Sequence, residues 1–119
     1  MSVNNEFVRY ALDQLRGLGV VISRKMFGGA GLYLDGTIFA LIAYDTLYFK
    51  VDETNRSDFE QAGMEPFKPF DDTSYVMSYY EVPIDVLEDS DDLVEWARKA
   101  LAAARRAPSK KKKAAKQKA

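Results

Sequence analysis

Two adjacent cations and a run of glycines form the first segment of the chain that could bind a ligand. Arg24 and Lys25 stand just before Gly28, Gly29 and Gly31. Backbone N–H groups of a glycine-rich loop can hold a phosphate, and neighbouring cations would strengthen the attraction. The flanking residues have the composition of β-strands and no Gly-Lys-Ser/Thr sequence follows, so a β-bulge or tight turn is the competing interpretation. The five residues are a candidate anion or small-ligand loop.

A second group of side chains, before Pro83, could contact another molecule. Its members are Tyr75, Met77, Tyr79 and Tyr80. Aromatic rings with a polar tip are favoured at interfaces, which makes this group a candidate protein-binding or homodimer surface. The alternative is that alternate residues of a strand pack beneath helices. A third possibility joins this strand to the glycine loop as the lining of a small-molecule groove.

The chain contains no histidine and no cysteine, and these absences restrict its chemistry. Histidine is the usual general base near neutral pH, and histidine and cysteine are the usual zinc ligands, so catalytic triads and most zinc sites are excluded. The acidic cluster within residues 88–92 lacks the spacing of a calcium loop and suits the start of a helix instead. We therefore predict a protein that is not an enzyme and binds no metal or cofactor.

Charge divides the chain into two unlike parts. The residues before Arg105 include nine basic and eighteen acidic side chains, a net charge of −9, whereas the last fifteen residues carry eight basic side chains and no acidic one. We predict a folded domain over residues 1–106 and a disordered Lys/Ala tail over residues 107–119. The tail could contact nucleic-acid phosphates without sequence preference, while the acidic domain would repel them. The candidate phosphate contacts are Lys110, Lys111, Lys112 and Lys113.

Length and composition agree with one folded domain. The chain has 119 residues, of which 47% are apolar, as expected of a globular protein with one core. Its first residues lack the basic and apolar regions of a signal peptide, and no apolar run is long enough to span a membrane. We expect a cytoplasmic protein that does not contact the membrane.

Hydrophobic periodicity predicts helices at both ends of a set of strands. Asp35-Gly36 lies between two apolar runs and predicts a hairpin turn, while Trp96 is predicted at the edge of the core. Thr54 or Asn55 could cap the second helix, and the residues over 28–31 are expected to interrupt the first two strands. The predicted elements are the helix Asn5–Leu18, the strands Val20–Phe27, Leu32–Leu34, Thr37–Ala43 and Thr46–Val51, the helix Asn55–Ala62, the strand Ser74–Val82 and a last helix from about Asp89 to Arg105.

The order α-β-β-β-β-α-β-α predicts an α+β fold with two layers. Strands joined by short turns pair in the antiparallel sense, so the sheet should be mostly antiparallel. Helices that each carry one apolar stripe would then pack on one face of that sheet.

Three sequence strings and one tryptophan resemble the N-terminal domain of the TfoX/Sxy family. The strings are Arg-Lys-Met-Phe-Gly-Gly-Ala-Gly-Leu-Tyr over 24–33, Leu-Tyr-Phe-Lys-Val-Asp over 47–52 and Met-Ser-Tyr-Tyr-Glu-Val-Pro over 77–83, followed by Trp96. The similarity extends over about Phe7 to Arg105. It implies a bacterial domain associated with regulation of natural competence, acting by assisting transcription rather than by catalysis. Longer family members carry a C-terminal helical domain where this chain has its basic tail.

These observations favour a non-enzymatic regulatory or protein-interaction domain whose partner could belong to the transcription machinery. The alternative is a small-molecule or anion-binding domain that uses the loop Gly28–Gly31 and the neighbouring aromatic strand.

Overall fold

Five strands form the centre of the protein, in a computed structural model that describes residues 5–26, 29–67 and 78–107. The fold is the predicted α+β arrangement, with a one-turn helix added before the last one. The elements are α1 (Asn5–Gln14), β1 (Val21–Met26), β2 (Gly29–Leu34), β3 (Thr37–Ala43), β4 (Thr46–Lys50), α2 (Arg56–Gln61), β5 (Tyr79–Glu81), α3 (Ile84–Leu87) and α4 (Ser90–Arg106).

The sheet has the spatial order β1-β2-β3-β4-β5, and every neighbouring pair is antiparallel. Short turns produce this arrangement because they leave the chain no room to cross over. The predicted turn at Asp35-Gly36 is confirmed, since both residues have positive φ, at 51° and 81°. Tyr44 and Asp45 make the next turn, also with positive φ. Such turns match the right-handed twist of the strands.

The core lies between the sheet and α4, which packs across β3 and β4. Two fully buried alanines, Ala97 and Ala100, let the helix approach the sheet closely. Leu93, Ala97 and Leu101 form the buried side of α4. Trp96 stands at the core edge, as predicted, with its ring centre 4.8 Å from that of Phe59. At its start, Asp89 caps α4 by accepting a hydrogen bond from the Asp92 N–H at 3.2 Å. The larger side chains of this core are Leu32, Leu34, Phe39, Ile42, Leu47 and Phe49 from the sheet and Leu93 and Leu101 from α4.

Several predicted boundaries are wrong. α1 ends at Gln14 rather than Leu18, because the next turn tightens: the Leu18 N–H donates to the Leu15 carbonyl three residues back. β2 begins at Gly29 rather than Leu32, since the glycines pair with β1 instead of interrupting the strands. β5 is reduced to Tyr79–Glu81, and the first part of its predicted range, residues 74–77, lies outside the described residues.

Asn55 does not cap α2 with its side chain, contrary to one of the two predicted caps. The side chain turns back along the sequence instead. Its Oδ1 accepts a hydrogen bond from the Asp52 N–H at 2.8 Å, and its Nδ2 donates to the Lys50 carbonyl at 3.1 Å. Asn55 therefore links the end of β4 to the start of α2. Its polar side chain can be buried because both its oxygen and its nitrogen have hydrogen-bond partners.

Candidate functional site

Alternation along the strands creates a second face of the sheet, opposite the core. In the described ranges the helices pack on the other side, so we name this surface the helix-free face. It follows from the register, in which side chains opposite one another on neighbouring strands point the same way. Three rows of residues cross this face. The first row is Ile22, Tyr33 and Ile38, the second is Arg24, Gly31, Leu41, Tyr48 and Glu81, and the third is Lys50 and Tyr79.

Three contacts between aromatic rings and their neighbours organise the helix-free face. The Arg24 Cζ lies 5.7 Å from the centre of the Tyr33 ring. The Lys50 Nζ lies 5.4 Å from the centre of the Tyr79 ring. Tyr48 packs on Phe67, with 4.5 Å between the ring centres. A cation placed over a ring is attracted by the ring quadrupole. Its side chain is therefore already restricted, and it loses little further mobility when a partner covers it.

Lys50 is the cation nearest the middle of this face. Its Nζ donates a hydrogen bond to the Ser78 Oγ at 3.2 Å, which holds the side chain across the strand. Burial lowers the pKa of the Lys50 ammonium, although the negative charge of Asp52 acts in the opposite direction. The ammonium is thus partly removed from water and would gain from an anionic or carbonyl group on a partner.

Tyr79 is the most deeply buried phenol of the face, at 8% exposure. Burial, with a smaller contribution from the nearby Tyr33, raises the pKa of Tyr79 to about 12. In the unfolded chain a tyrosine loses its proton near pH 10. Between these two values only the unfolded state ionises this residue, so the folded protein should lose stability as the pH rises from about 10 to 12.

The substitution Tyr79→Phe should remove this contribution. Wild type is expected to lose about 1.4 kcal/mol more unfolding free energy per pH unit than the variant over that window. Urea unfolding at pH 8, 9, 10 and 11 measures the difference between the two proteins. The interval from pH 8 to 9 is the control, because neither state of Tyr79 ionises there. Parallel curves above pH 10 would show that the phenol is not buried in this way.

The two edges of the sheet differ. Beyond β5, the Phe67 N–H donates to the Tyr79 carbonyl at 2.6 Å and Pro66 forms a bridge with Tyr80. The segment Glu65–Phe67 therefore covers that edge. On the opposite side, β1 pairs with β2 and with no other segment among the described residues. The backbone of β1 is the open edge of the sheet.

The structure divides the predicted site residues between the two faces. Arg24 stands opposite Gly31, and both lie on the helix-free face with Gly29. Lys25 stands opposite Ala30, a core residue, so it points to the other side of the sheet. Lys25 is therefore separated from Arg24, Gly29 and Gly31, and these two glycines are buried strand residues. Gly28 lies outside the described residues.

The predicted aromatic interface is divided in the same way. Tyr79 lies on the helix-free face, whereas Tyr80 packs against the core with its ring centre 5.8 Å from that of Phe59. Tyr75 and Met77 lie outside the described residues, as do the tail lysines Lys110, Lys111, Lys112 and Lys113. Their roles stay predictions.

Sequence reasoning did not assign a role to Tyr33, Tyr48 or Lys50. A signal for them was present, because the alternation of β4 predicts that Tyr48 and Lys50 point away from the core. The turn at Asp35-Gly36 also aligns Tyr33 with β3. Only the full register across β1 to β5 brings these side chains together with Arg24 and Tyr79.

Two further observations concern the described residues alone. No group of three or more acidic side chains among them is arranged to hold a metal ion. None of the described helices is long and apolar enough to cross a membrane.

Comparison with known proteins identifies the domain. No curated protein matches the chain. The family model of the TfoX N-terminal domain matches residues 13–104, from within α1 almost to the end of α4 and including every strand. Since this match covers most of the 119 residues, the chain belongs to the TfoX N-terminal domain family.

Proposed function

We propose that this TfoX N-terminal domain is a non-enzymatic regulatory domain that binds a protein partner through the helix-free face of its sheet. The resemblance to competence regulators supports a partner from the transcription machinery. The observation that carries the proposal is the pairing of cations with tyrosines on this face, Arg24 with Tyr33 and Lys50 with Tyr79.

Arginine and tyrosine are enriched where proteins bind one another, because each combines a large apolar area with a polar group of defined direction. On this face the cations are held in place before any partner arrives. Ile22 and Ile38 supply apolar area beside them, and Ile22 is 56% exposed. A partner that covers these side chains gains area and orders few of them anew, which favours binding.

A protein partner suits the charge of the domain better than a nucleic acid does. The folded domain over residues 1–106 has a net charge of −7 and would repel a phosphate backbone. Any nucleic-acid contact would then come from the tail lysines, and it would be weak and independent of sequence.

Anion binding is the second candidate function, favoured by the shared face of Arg24, Gly29 and Gly31. A bound anion should compete with the partner. Inorganic phosphate would then release the partner at an ionic strength where chloride does not. Equal release by the two salts would remove this candidate and leave the protein-binding proposal intact.

The proposal is tested by capturing partners on the tagged full-length chain from a native bacterial lysate. The double variant Ile38→Thr, Lys50→Gln changes the middle of the helix-free face and retains residues that strands tolerate. Arg56→Gln, exposed on α2, is the control. We expect the face variant to enrich the partner at least tenfold less than wild type, a change of about 1.4 kcal/mol in binding.

Quantitative mass spectrometry compares the three captures, and circular dichroism confirms that all three proteins are folded. A partner enriched equally by the face variant and by Arg56→Gln would contradict the proposal. A partner that depends on the face but takes no part in transcription would contradict only the regulatory assignment.

A further inference from the structure

One end of the sheet carries a net positive charge, unlike the rest of the folded domain. The residues before Asp35, which form α1, β1 and β2, include four basic and two acidic side chains, a net charge of +2. Residues 35–106 include seven basic and sixteen acidic side chains, a net charge of −9. A partner with negative charge is therefore attracted to the β1 end and repelled elsewhere on the domain.

This end of the sheet also carries the open backbone edge. Among the described residues β1 pairs with β2 alone, so the outward N–H and C=O groups of Val21–Met26 have no partner strand. An edge of this kind is a template for one more strand. Two exposed apolar side chains lie along this edge, Val20, which is 80% exposed, and Ile22. Arg24 and Lys25 are the exposed charged side chains there.

A groove continues the edge toward the first helix. It lies between α1 and the start of β1, has a volume of about 900 Å³, and is open to solvent. Its lining includes Tyr10, Val20 and Val21, with Arg9 and Arg16 beside them. Asp13 pairs with Arg16 at 3.1 Å on the surface. All four cations of this end of the domain lie on the groove or on β1, but Glu6 and Asp13 also line the groove. The net positive charge of this end is therefore that of Arg24 and Lys25 on β1.

We infer that β1 receives an extended acidic segment of the partner protein as an additional strand of the sheet. The inference rests on the proposed protein-binding function and names the chemistry of the partner. Arg24 and Lys25 point to opposite faces, so the acidic face of an alternating strand would meet a cation in either orientation. Ile22, on the same face as Arg24, would accept an apolar side chain when the acidic face lies toward Lys25. Main-chain hydrogen bonds supply the affinity and these side-chain positions supply the selectivity, as in other strand-addition complexes.

A second copy of the chain is a poorer occupant of this edge. Two β1 strands paired in the antiparallel sense about their centres would place Arg24 opposite Ser23 and Lys25 opposite Ile22, so the four cations of the two copies would stand at neighbouring positions. Like charges this close repel one another. The basic tail is repelled by the same cations and is not an alternative occupant.

Fluorescence anisotropy of labelled peptides with the full-length chain at pH 7 tests the inference. One ten-residue peptide repeats Glu-Val five times, the second repeats Lys-Val, and the third is the Glu-Val peptide with every valine replaced by proline. We expect the Glu-Val peptide to bind at least tenfold more tightly than either of the others, because only it combines acidic side chains with backbone N–H groups that can pair along a strand.

Two double variants with equal changes in net charge locate the binding. Arg24→Glu, Lys25→Glu should weaken the Glu-Val peptide at least tenfold, while Arg56→Glu, Arg98→Glu, exposed on α2 and α4, should leave its affinity within twofold of wild type. Equal weakening by both pairs would show a general charge effect. Unchanged binding of the Glu-Val peptide by the Arg24→Glu, Lys25→Glu variant would show that the peptide binds the basic tail instead. Tight binding of the proline peptide would exclude strand pairing. Each of these results, or no binding at all, overturns the inference.

The peptide experiment and the partner capture can fail independently of each other. If the Glu-Val peptide fails while partner capture still depends on Ile38 and Lys50, strand addition is wrong and the binding face stands. If the peptide binds β1 but the face variant captures the partner normally, the face is wrong and the open edge stands.

Discussion

Replacing Gly29 with alanine is expected to lower the free energy of unfolding by about 3 kcal/mol. A Cβ at this position would lie 2.2 Å from the carbonyl oxygen of Ile42 in β3. The obstacle is backbone rather than a side chain that can rotate away, so β2 and β3 would have to separate where they pair. Urea denaturation of wild type and variant measures the loss directly.

Gly36→Ala is the matched control for Gly29→Ala. Gly36 has a φ of 81°, and an added Cβ would meet nothing within 4 Å. Its cost is therefore only that of a left-handed conformation for alanine, about 1 kcal/mol. A loss at Gly29 no larger than the loss at Gly36 would contradict the close approach of the two strands.

The second large effect is expected at Asn55, the buried side chain that joins β4 to α2 and is only 1% exposed. In Asn55→Ala the Asp52 N–H and the Lys50 carbonyl would both lose their side-chain hydrogen bonds. A buried group left without a partner costs about 1–3 kcal/mol. Both of these hydrogen bonds are part-buried, so we expect values near the low end of that range and a total loss of about 2–3 kcal/mol. Thermal unfolding followed by circular dichroism, with urea titration at 25 °C, measures it.

Ser57→Ala provides the comparison, because this neighbouring serine is exposed on α2 and its replacement should change stability by less than about 0.5 kcal/mol. Similar values for the two variants would show that the Asn55 hydrogen bonds are not important for stability. The connection also bears on function, since Asn55 holds the strand end that carries Lys50.

Local signals in the sequence were sufficient for much of the fold. Asp35-Gly36 predicted its turn because positive φ is a property of the residues themselves. The alternation Leu47, Tyr48, Phe49 is typical of a strand with an inner and an outer side, as β4 shows. The spacing of Leu93 and Ala97 is typical of a helix with one buried side, as α4 shows. Each of these patterns depends on neighbours within one turn or one strand.

The incorrect predictions at Gly29 and Asn55 depend on backbone groups that residue type alone does not identify. Gly29 was predicted to lie in an interruption because glycine is common in turns, yet its role depends on the Ile42 carbonyl of another strand. Asn55 was placed among the helix caps because it precedes α2, but its partners lie on the other side. Neither partner can be identified without the fold.

The candidate site shows the same limit. Residue type alone placed Arg24 with Lys25 and Tyr79 with Tyr80, as sequence neighbours. Strand alternation separates both pairs, and the register joins Arg24 to Tyr33 and Lys50 to Tyr79 instead. The helix-free face is thus a product of pairing across five strands rather than of any one motif.

Hydroxyl-radical footprinting of the captured complex tests the helix-free face as the partner-binding surface most directly. Tyr33 and Tyr48 lie on that face, whereas Tyr44, 76% exposed at the turn between β3 and β4, provides an internal reference. Oxidation of Tyr33 and Tyr48 should fall at least threefold when the partner is bound, while oxidation of Tyr44 stays constant. Unchanged oxidation of Tyr33 and Tyr48 in a complex that remains intact would contradict the account.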